Sequence, residues 1–188
     1  VATLSRGYKR KSKGFLRATT ATSVEEIGDE PFQFYKNHSE ITVAVDANRV
    51  HGIQQLLKKV PGLEVVLLDD AFQHRYVKAK LSILLTDYND LYVKDCMLPS
   101  GTLRESRNGA KRAEIIVVTK CPPSLSENLQ KKTKEKIAPQ QHQNVFFTTI
   151  SYADQIVSKS NKVLVSELTA YDILLVTGIA NPKPLLKK

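Results

Sequence analysis

Short apolar runs bounded by polar or turn residues recur along the chain, at residues 1–4, 41–45, 63–68, 81–85, 115–118, 145–150 and 173–176. None alternates cleanly between apolar and polar positions. Strands that read as continuous apolar runs are buried on both faces, the situation created when helices cover both sides of a parallel sheet. Helical patterns fall between the runs. Asn48 is placed to cap a helix carrying Val50, Ile53, Leu56, Leu57 and Val60 at three-to-four spacing, with Pro61-Gly62 as its stop. Ser124 and Glu127 form a capping-box pattern ahead of a Lys-rich helix whose apolar face holds Leu125, Leu129 and Ile137 and which Pro139 ends. Strand, helix, strand in this order predicts right-handed βαβ units and an α/β fold with an open, mostly parallel sheet and helices on both faces. The polar, Ser-rich stretch 152–166 sets a boundary after Ser151, so residues 1–151 are expected to form the core and 152–188 a connecting segment, a hairpin or the start of a second lobe.

Composition narrows the class. In 188 residues, 41% are hydrophobic and 25% charged, which excludes a disordered chain, a collagen and a disulfide scaffold and suits one domain or one domain with part of another. No stretch approaches the roughly 18 consecutive apolar residues that cross a bilayer. Cys96 and Cys121 lack a second ligand pair at metal spacing and fit a reducing compartment, with the cytoplasm as the default. The 28 Lys and Arg exceed the 19 Asp and Glu by nine, which favours an anionic partner: phosphate, nucleic acid or an acidic membrane surface. The chain opens on Val1 rather than Met and stops in a basic stretch, which leads us to expect a piece of something longer.

Ligands of open parallel sheets bind beyond the carboxyl ends of the strands, so candidate chemistry is sought there. The run 63–68 leads straight into Asp69-Asp70, the Walker B arrangement of an acid after four or more apolar positions, which manages Mg²⁺ at nucleotide phosphates. The plain alternative is an Asp capping the next turn. Asp29-Glu30 lies between Gly28 and Pro31, where a carboxylate can accept a proton from a substrate hydroxyl or simply decorate a surface turn. Pro99 and Gly101 build a tight loop ending in Arg104-Glu105, and Arg104 offers a planar fork of donors to phosphate oxygens. Residues 1–20 contain six basic groups and no acid, a stretch suited to polyanions or to solvent alone.

Taken together these segments have a distinctive wording. Ser5-Arg6-Gly7-Tyr8 with Lys11-Ser12-Lys13-Gly14, Gly28-Asp29-Glu30-Pro31, Leu68-Asp69-Asp70-Ala71-Phe72-Gln73-His74-Arg75, Leu98-Pro99-Ser100-Gly101 with Leu103-Arg104-Glu105, and Gly178-Ile179-Ala180-Asn181-Pro182 closely resemble the tetraacyldisaccharide 4'-kinase family over almost the whole chain. The resemblance implies a three-layer fold like that of P-loop NTPases and an ATP-dependent transfer of the γ-phosphate to the 4'-hydroxyl of a lipid A precursor, with ATP and Mg²⁺ as cofactors. It places the activity at the cytoplasmic face of the bacterial inner membrane, in peripheral contact with its anionic surface. By the same resemblance Asp29 is the base, with Glu30 beside it. Asp69 and Asp70 manage Mg²⁺, Arg104 and Glu105 approach the phosphates and the metal, and Arg6, Gln73 and His74 line the substrate region.

Two departures matter. The Gly-rich run ending in Gly-Lys-Thr that the resemblance implies ahead of Ser5 has no counterpart here, and the family's histidine motif would fall past Lys188. The expectation is therefore the central piece of a kinase, inactive by itself. Two other classes compete: a basic nucleic-acid-binding module, weakened by the scarcity of aromatic residues among the basic runs, and an NTPase without sugar-kinase activity, which would not need the Asp29 loop. His38, His51 and His142 are expected to be solvated or locally hydrogen-bonded. Tyr8 and Phe72 are expected to pack.

Overall fold

A computed structural model describes residues 1–158, 161–170 and 172–177. The chain divides into two compact units, Val1–Thr149 and Ile150–Lys188. In the first unit, β1 (Ala2–Ser5), β2 (Leu16–Arg17), β3 (Thr42–Val45) and β4 (Val66–Leu68) form a sheet in the order β2-β3-β1-β4, and β1 pairs in parallel with both β3 and β4. The short β2 is antiparallel and closes the β3 edge. A second sheet follows, with β5 (Ile83–Asp87), β6 (Ile115–Cys121) and β7 (Asn144–Thr149) parallel in that order. The expected α/β fold with mostly parallel strands is observed, in two ladders rather than one.

Helices cover both faces of the first sheet, giving three layers. On one side α3 (Arg49–Lys59) sets Leu56 against Ala2, Leu4 and Ala44. On the other, α1 (Val24–Ile27) and α2 (Asp29–Asn37) bring Ile27, Phe32, Phe34 and Tyr35 against Val43 and Val45. Asn48 caps α3 by accepting from the His51 amide, as its position predicts. Over the second sheet, α4 (Glu127–Ile137) packs Ile137 with Leu91, Ile116 and Val118. Its cap is Ser126, which accepts from the Leu129 amide, rather than Ser124.

In the second unit β8 (Gln155–Val157) and β9 (Lys162–Leu164) make an antiparallel hairpin, followed by a short 3-10 turn, Val165–Ala170. The apolar run at 173–176 forms no strand. Its side chains are all at least half exposed or nearly so, and among the described residues no strand pairs with it, so hydrophobicity alone does not make a ladder. Among the described residues no helix is long and apolar enough to cross a membrane.

Candidate functional site

Because β1, β3 and β4 run in parallel, the residues that follow them, Arg6, Asp46 and Asp69-Asp70, emerge at one edge of the sheet. The ladder continues into them: the Asp46 amide donates to the Ser5 carbonyl at 2.9 Å and the Asp69 amide to the Leu4 carbonyl at 3.2 Å. At Asp70 the backbone turns with φ 45°, a left-handed conformation that aspartate tolerates better than most residues.

Asp70 meets Arg104, a residue 34 positions farther along the chain, in a two-pronged pair. Nη1 donates to Oδ2 at 2.9 Å and Nη2 to Oδ1. The hydrogen bonds from Arg104 hold the Asp70 carboxyl below the usual aspartate range and raise the guanidinium in turn. Next to this pair, Glu105 accepts from Arg112 at 2.8 Å and from Arg75 at 3.1 Å. Burial works to raise the Glu105 carboxyl, but the hydrogen bonds from Arg112 and Arg75 outweigh it and the net direction is down. Arg112 also lies 4.7 Å from the Phe72 ring centroid and donates to the Phe72 carbonyl, so Phe72 carries a cation rather than core packing alone. The segment after β4 and the loop bearing Arg104-Glu105 are thus locked by three arginines.

The buried cation of the site is Arg49, which sequence reasoning missed. It is 2% exposed, donates from Nη1 to the Asp46 carbonyl at 2.5 Å and from Nη2 to the Asp69 carbonyl at 3.2 Å, and so ties the end of β3 to the end of β4. A signal for it existed. A cation in the first turn of a helix stands at the positive end of the helix dipole, an unfavourable place unless specific acceptors hold it there. Burial lowers the Arg49 pKa, Asp69, Asp70 and Asp46 oppose the shift, and Arg6 adds to it. The His74 pKa is lowered first by burial and then by Arg49 and Arg6, against Asp70, a direction that favours the neutral imidazole. Arg6, Arg49, His74 and Asp70 therefore share one electrostatic neighbourhood. Beside it a cavity of about 460 Å³ is lined by Asn48, Arg49, His74 and Tyr76 among others.

Asp29 and Glu30 form the exposed first turn of α2, not a free loop, with Pro31 accommodated in that turn. Two glycines bring this helix start to the Arg6 segment. A Cβ on Gly28 (φ 91°) would stand 3.0 Å from the Tyr8 carbonyl oxygen, and one on Gly7 (φ 69°) 2.8 Å from that of Ile27. Contact thus joins Asp70 with Arg104, and Glu105 with Arg75 and Arg112, while the Gly7–Gly28 approach sets the start of α2, which carries Asp29, against the segment after β1. Asp69, Asp70 and Glu105 do not close into one ligand set: among the described residues no three His, Cys, Asp or Glu side chains gather to hold a metal ion. Gln73 is half-buried in the turn after β4. In the basic segment, Arg10 donates to Ser12 and to the Gly14 carbonyl, and Lys11 pairs with Glu25 at 2.5 Å, so these two cations are engaged within the fold. Tyr8, expected to pack, is instead exposed, with Lys9 Nζ 5.3 Å from its ring centroid. The Gly178–Pro182 motif lies outside the described residues.

A family model described as LpxK, tetraacyldisaccharide-1-P 4'-kinase, matches residues 1–188. The chain belongs to this family. A tetraacyldisaccharide 4'-kinase of Flavobacterium johnsoniae is 53% identical over 186 residues, which are 99% of this chain and 55% of the relative. That of Bacteroides thetaiotaomicron is 48% identical over 199 residues, covering 100% of this chain and 52% of the relative. The chain spans about half the length of these curated relatives. Among solved structures, the crystal structure of the "apo" form of LpxK from Aquifex aeolicus in complex with ATP superposes with a TM-score of 0.57 at 27% identity, over 81% of this chain and 62% of that one. A tetraacyldisaccharide kinase family member is thereby matched in fold as well as in sequence.

Proposed function

We propose that the full-length protein transfers the γ-phosphoryl group of ATP to the 4'-hydroxyl of a tetraacyldisaccharide 1-phosphate precursor of lipid A. The observation that carries this reading is the two-pronged Asp70–Arg104 pair at the carboxyl edge of a parallel sheet, in a chain that the kinase family model matches throughout. Phosphoryl transfer asks little covalent work of a protein and depends on positioning and charge. The 4'-oxygen attacks the γ-phosphorus, the bond to the bridging oxygen breaks, ADP leaves, and the hydroxyl proton passes to Asp29, with Glu30 beside it. Arg104 turns part of its fork from Asp70 to the oxygens of the moving group and offsets the charge spread over them. Arg6, Gln73 and a neutral His74 line the acceptor side, where His74 can hydrogen-bond without adding charge.

The hard oxygen donors of Asp69 and Asp70 suit Mg²⁺, which is usually held by one or two carboxylates with phosphate oxygens and water. Those two residues would hold the ion, while Glu105 is tied to Arg75 and Arg112. When bound, Mg²⁺ supplies charge neutralisation at the phosphates. Family membership gives the nucleic-acid alternative no support.

The assay that tests the reading incubates the full-length protein with γ-labelled ATP and the tetraacyldisaccharide 1-phosphate. Label appearing in the lipid is the expected result. Label released only as inorganic phosphate would replace the kinase with an NTPase.

The same reading places the protein at the cytoplasmic face of the inner membrane, with the basic N-terminal segment toward anionic lipid. With Arg10 and Lys11 paired within the chain, Lys9 and Lys13 are exposed cations that this segment can offer to lipid. Each contributes on the order of 1 kcal/mol at an anionic surface. Removing both is expected to weaken sedimentation with anionic vesicles, and undiminished binding would reject the placement.

A further inference from the structure

We propose that His51 and Asp46 form a positioning pair that fixes Arg49, and through it the Asp69 main chain, for the phosphoryl transfer proposed above, on which the inference rests. The Asp46 carboxylate is buried, and both of its oxygens are occupied. Oδ1 accepts from the Asn48 amide at 2.9 Å and Oδ2 from His51 Nδ1 at 2.7 Å. On the far side of the ring, the Gln55 amide nitrogen lies 3.4 Å from His51 Nε2. An amide nitrogen only donates, so Nε2 is the acceptor there and the ring proton sits on Nδ1. Nδ1 is thus the donor to Asp46, and which nitrogen carries that proton is set by the partners on the ring's two sides.

The consequence runs inward. Fixing the Asp46 side chain at two oxygens fixes its peptide plane, and the carbonyl of that plane is the acceptor of Arg49 Nη1. Arg49 Nη2 then holds the Asp69 carbonyl, one residue before the acid that meets Arg104. Arg49 Nε is buried without a hydrogen-bond partner, so the two Nη contacts carry the placement of the guanidinium. A half-exposed histidine on the surface of α3 therefore sets the geometry of Asp69-Asp70 through three contacts along four residues: His51, Asp46, Arg49, Asp69.

The test uses the full-length protein with two substitutions at one position. In His51→Asn the side-chain amide nitrogen takes the place of Nδ1 and keeps the donor to Asp46; in His51→Leu the donor is lost. The leucine variant is expected to lower kcat by about tenfold with the acceptor KM changed less than about twofold, and the asparagine variant to stay within about threefold of the parent. Should the leucine variant fail to fold, His51→Gln, whose nitrogen lies one methylene too far out, replaces it. Two readouts need no turnover. The ¹⁵N shifts of His51 should show a protonated Nδ1 and a bare Nε2. Hydrogen exchange at Arg49 Nε should speed up by about tenfold in the leucine variant and return to within about threefold of the parent in the asparagine variant. A proton on Nε2, unchanged Arg49 exchange, or an asparagine variant as slow as the leucine variant would overturn the proposal. A parent that shows the expected shifts and exchange but phosphorylates no lipid would instead overturn the kinase reading.

Discussion

β1 and β6 are both central strands of parallel ladders, yet they stand in different surroundings. β1 is buried along its whole length, with Leu4 and Ala2 against α3 on one face and Thr3 and Ser5 turned to the α1–α2 side. β6 sits in a sheet covered on one face by α4, while Leu85 (64% exposed) and Phe146 (53% exposed), which flank Val117 in register, stand open on the other. The site inherits the contrast. Charges at the end of the first sheet, Asp46 and Arg49, are held in a dry setting where each hydrogen bond fixes a geometry. Arg104, carried on the loop beyond β5, is more than half exposed, as is its partner Asp70, and such a pair can exchange partners at little cost. Under the proposed function the buried part would position and the exposed part would capture.

The contrast can be broken most sharply at the arginines. Arg49→Met leaves two strand-end carbonyls without their buried guanidinium and removes a cation facing Asp46, Asp69 and Asp70, with an expected loss of about 3–5 kcal/mol in urea denaturation. Arg104→Met should cost no more than about 1 kcal/mol. Equal losses would erase the distinction. Next in size is the core: Leu56→Ala, at a fully buried position, should cost about 2–5 kcal/mol. Leu85→Ser on the open face should stay within about 0.5 kcal/mol, and a larger loss would mean that this face is covered. A smaller effect sharpens the same picture at the start of α3, where Asn48→Ala removes the cap on the His51 amide and should cost about 1 kcal/mol.

The smallest effect is acid dependence. The folded pKa of Asp70 lies below its unfolded value, so the folded state binds fewer protons. The stabilisation is complete above the ordinary aspartate pKa and fades as pH falls through the lowered one. With both partners largely exposed it should amount to less than about 1 kcal/mol and shrink in salt. Arg104→Met should flatten that part of the stability–pH curve, and an unchanged curve would mean that another acid is responsible.

Much of the frame could be read from the chain. The runs at β1, β3, β4 and β6, the Asn48 cap and the acids at the end of β4 are local patterns, and local patterns survive into the fold. The start of α2 was less visible because Gly28 and Pro31 signal a turn, whereas Gly28 caps the helix and Pro31 fits its first turn, where no amide partner is needed. The run at 173–176 misled because continuous hydrophobicity needs a neighbouring strand before it becomes one. Arg49 and Asp46 stayed hidden for the opposite reason: their partners are main-chain carbonyls, and the link from Arg49 to Asp69 spans 20 positions. Carbonyl acceptors leave no trace in residue identity.

Under the proposed function, Asp29, on a helix start set against the segment after β1 through Gly7 and Gly28, serves the same nucleotide that Asp70 and Arg104 would hold. Single-turnover transfer from γ-labelled ATP to the tetraacyldisaccharide 1-phosphate by the full-length Asp29→Ala protein tests it most directly, with ATP affinity measured alongside. A fall in transfer rate of about 10²–10⁴-fold at unchanged ATP affinity is the expected result. Transfer at the parent rate would contradict it.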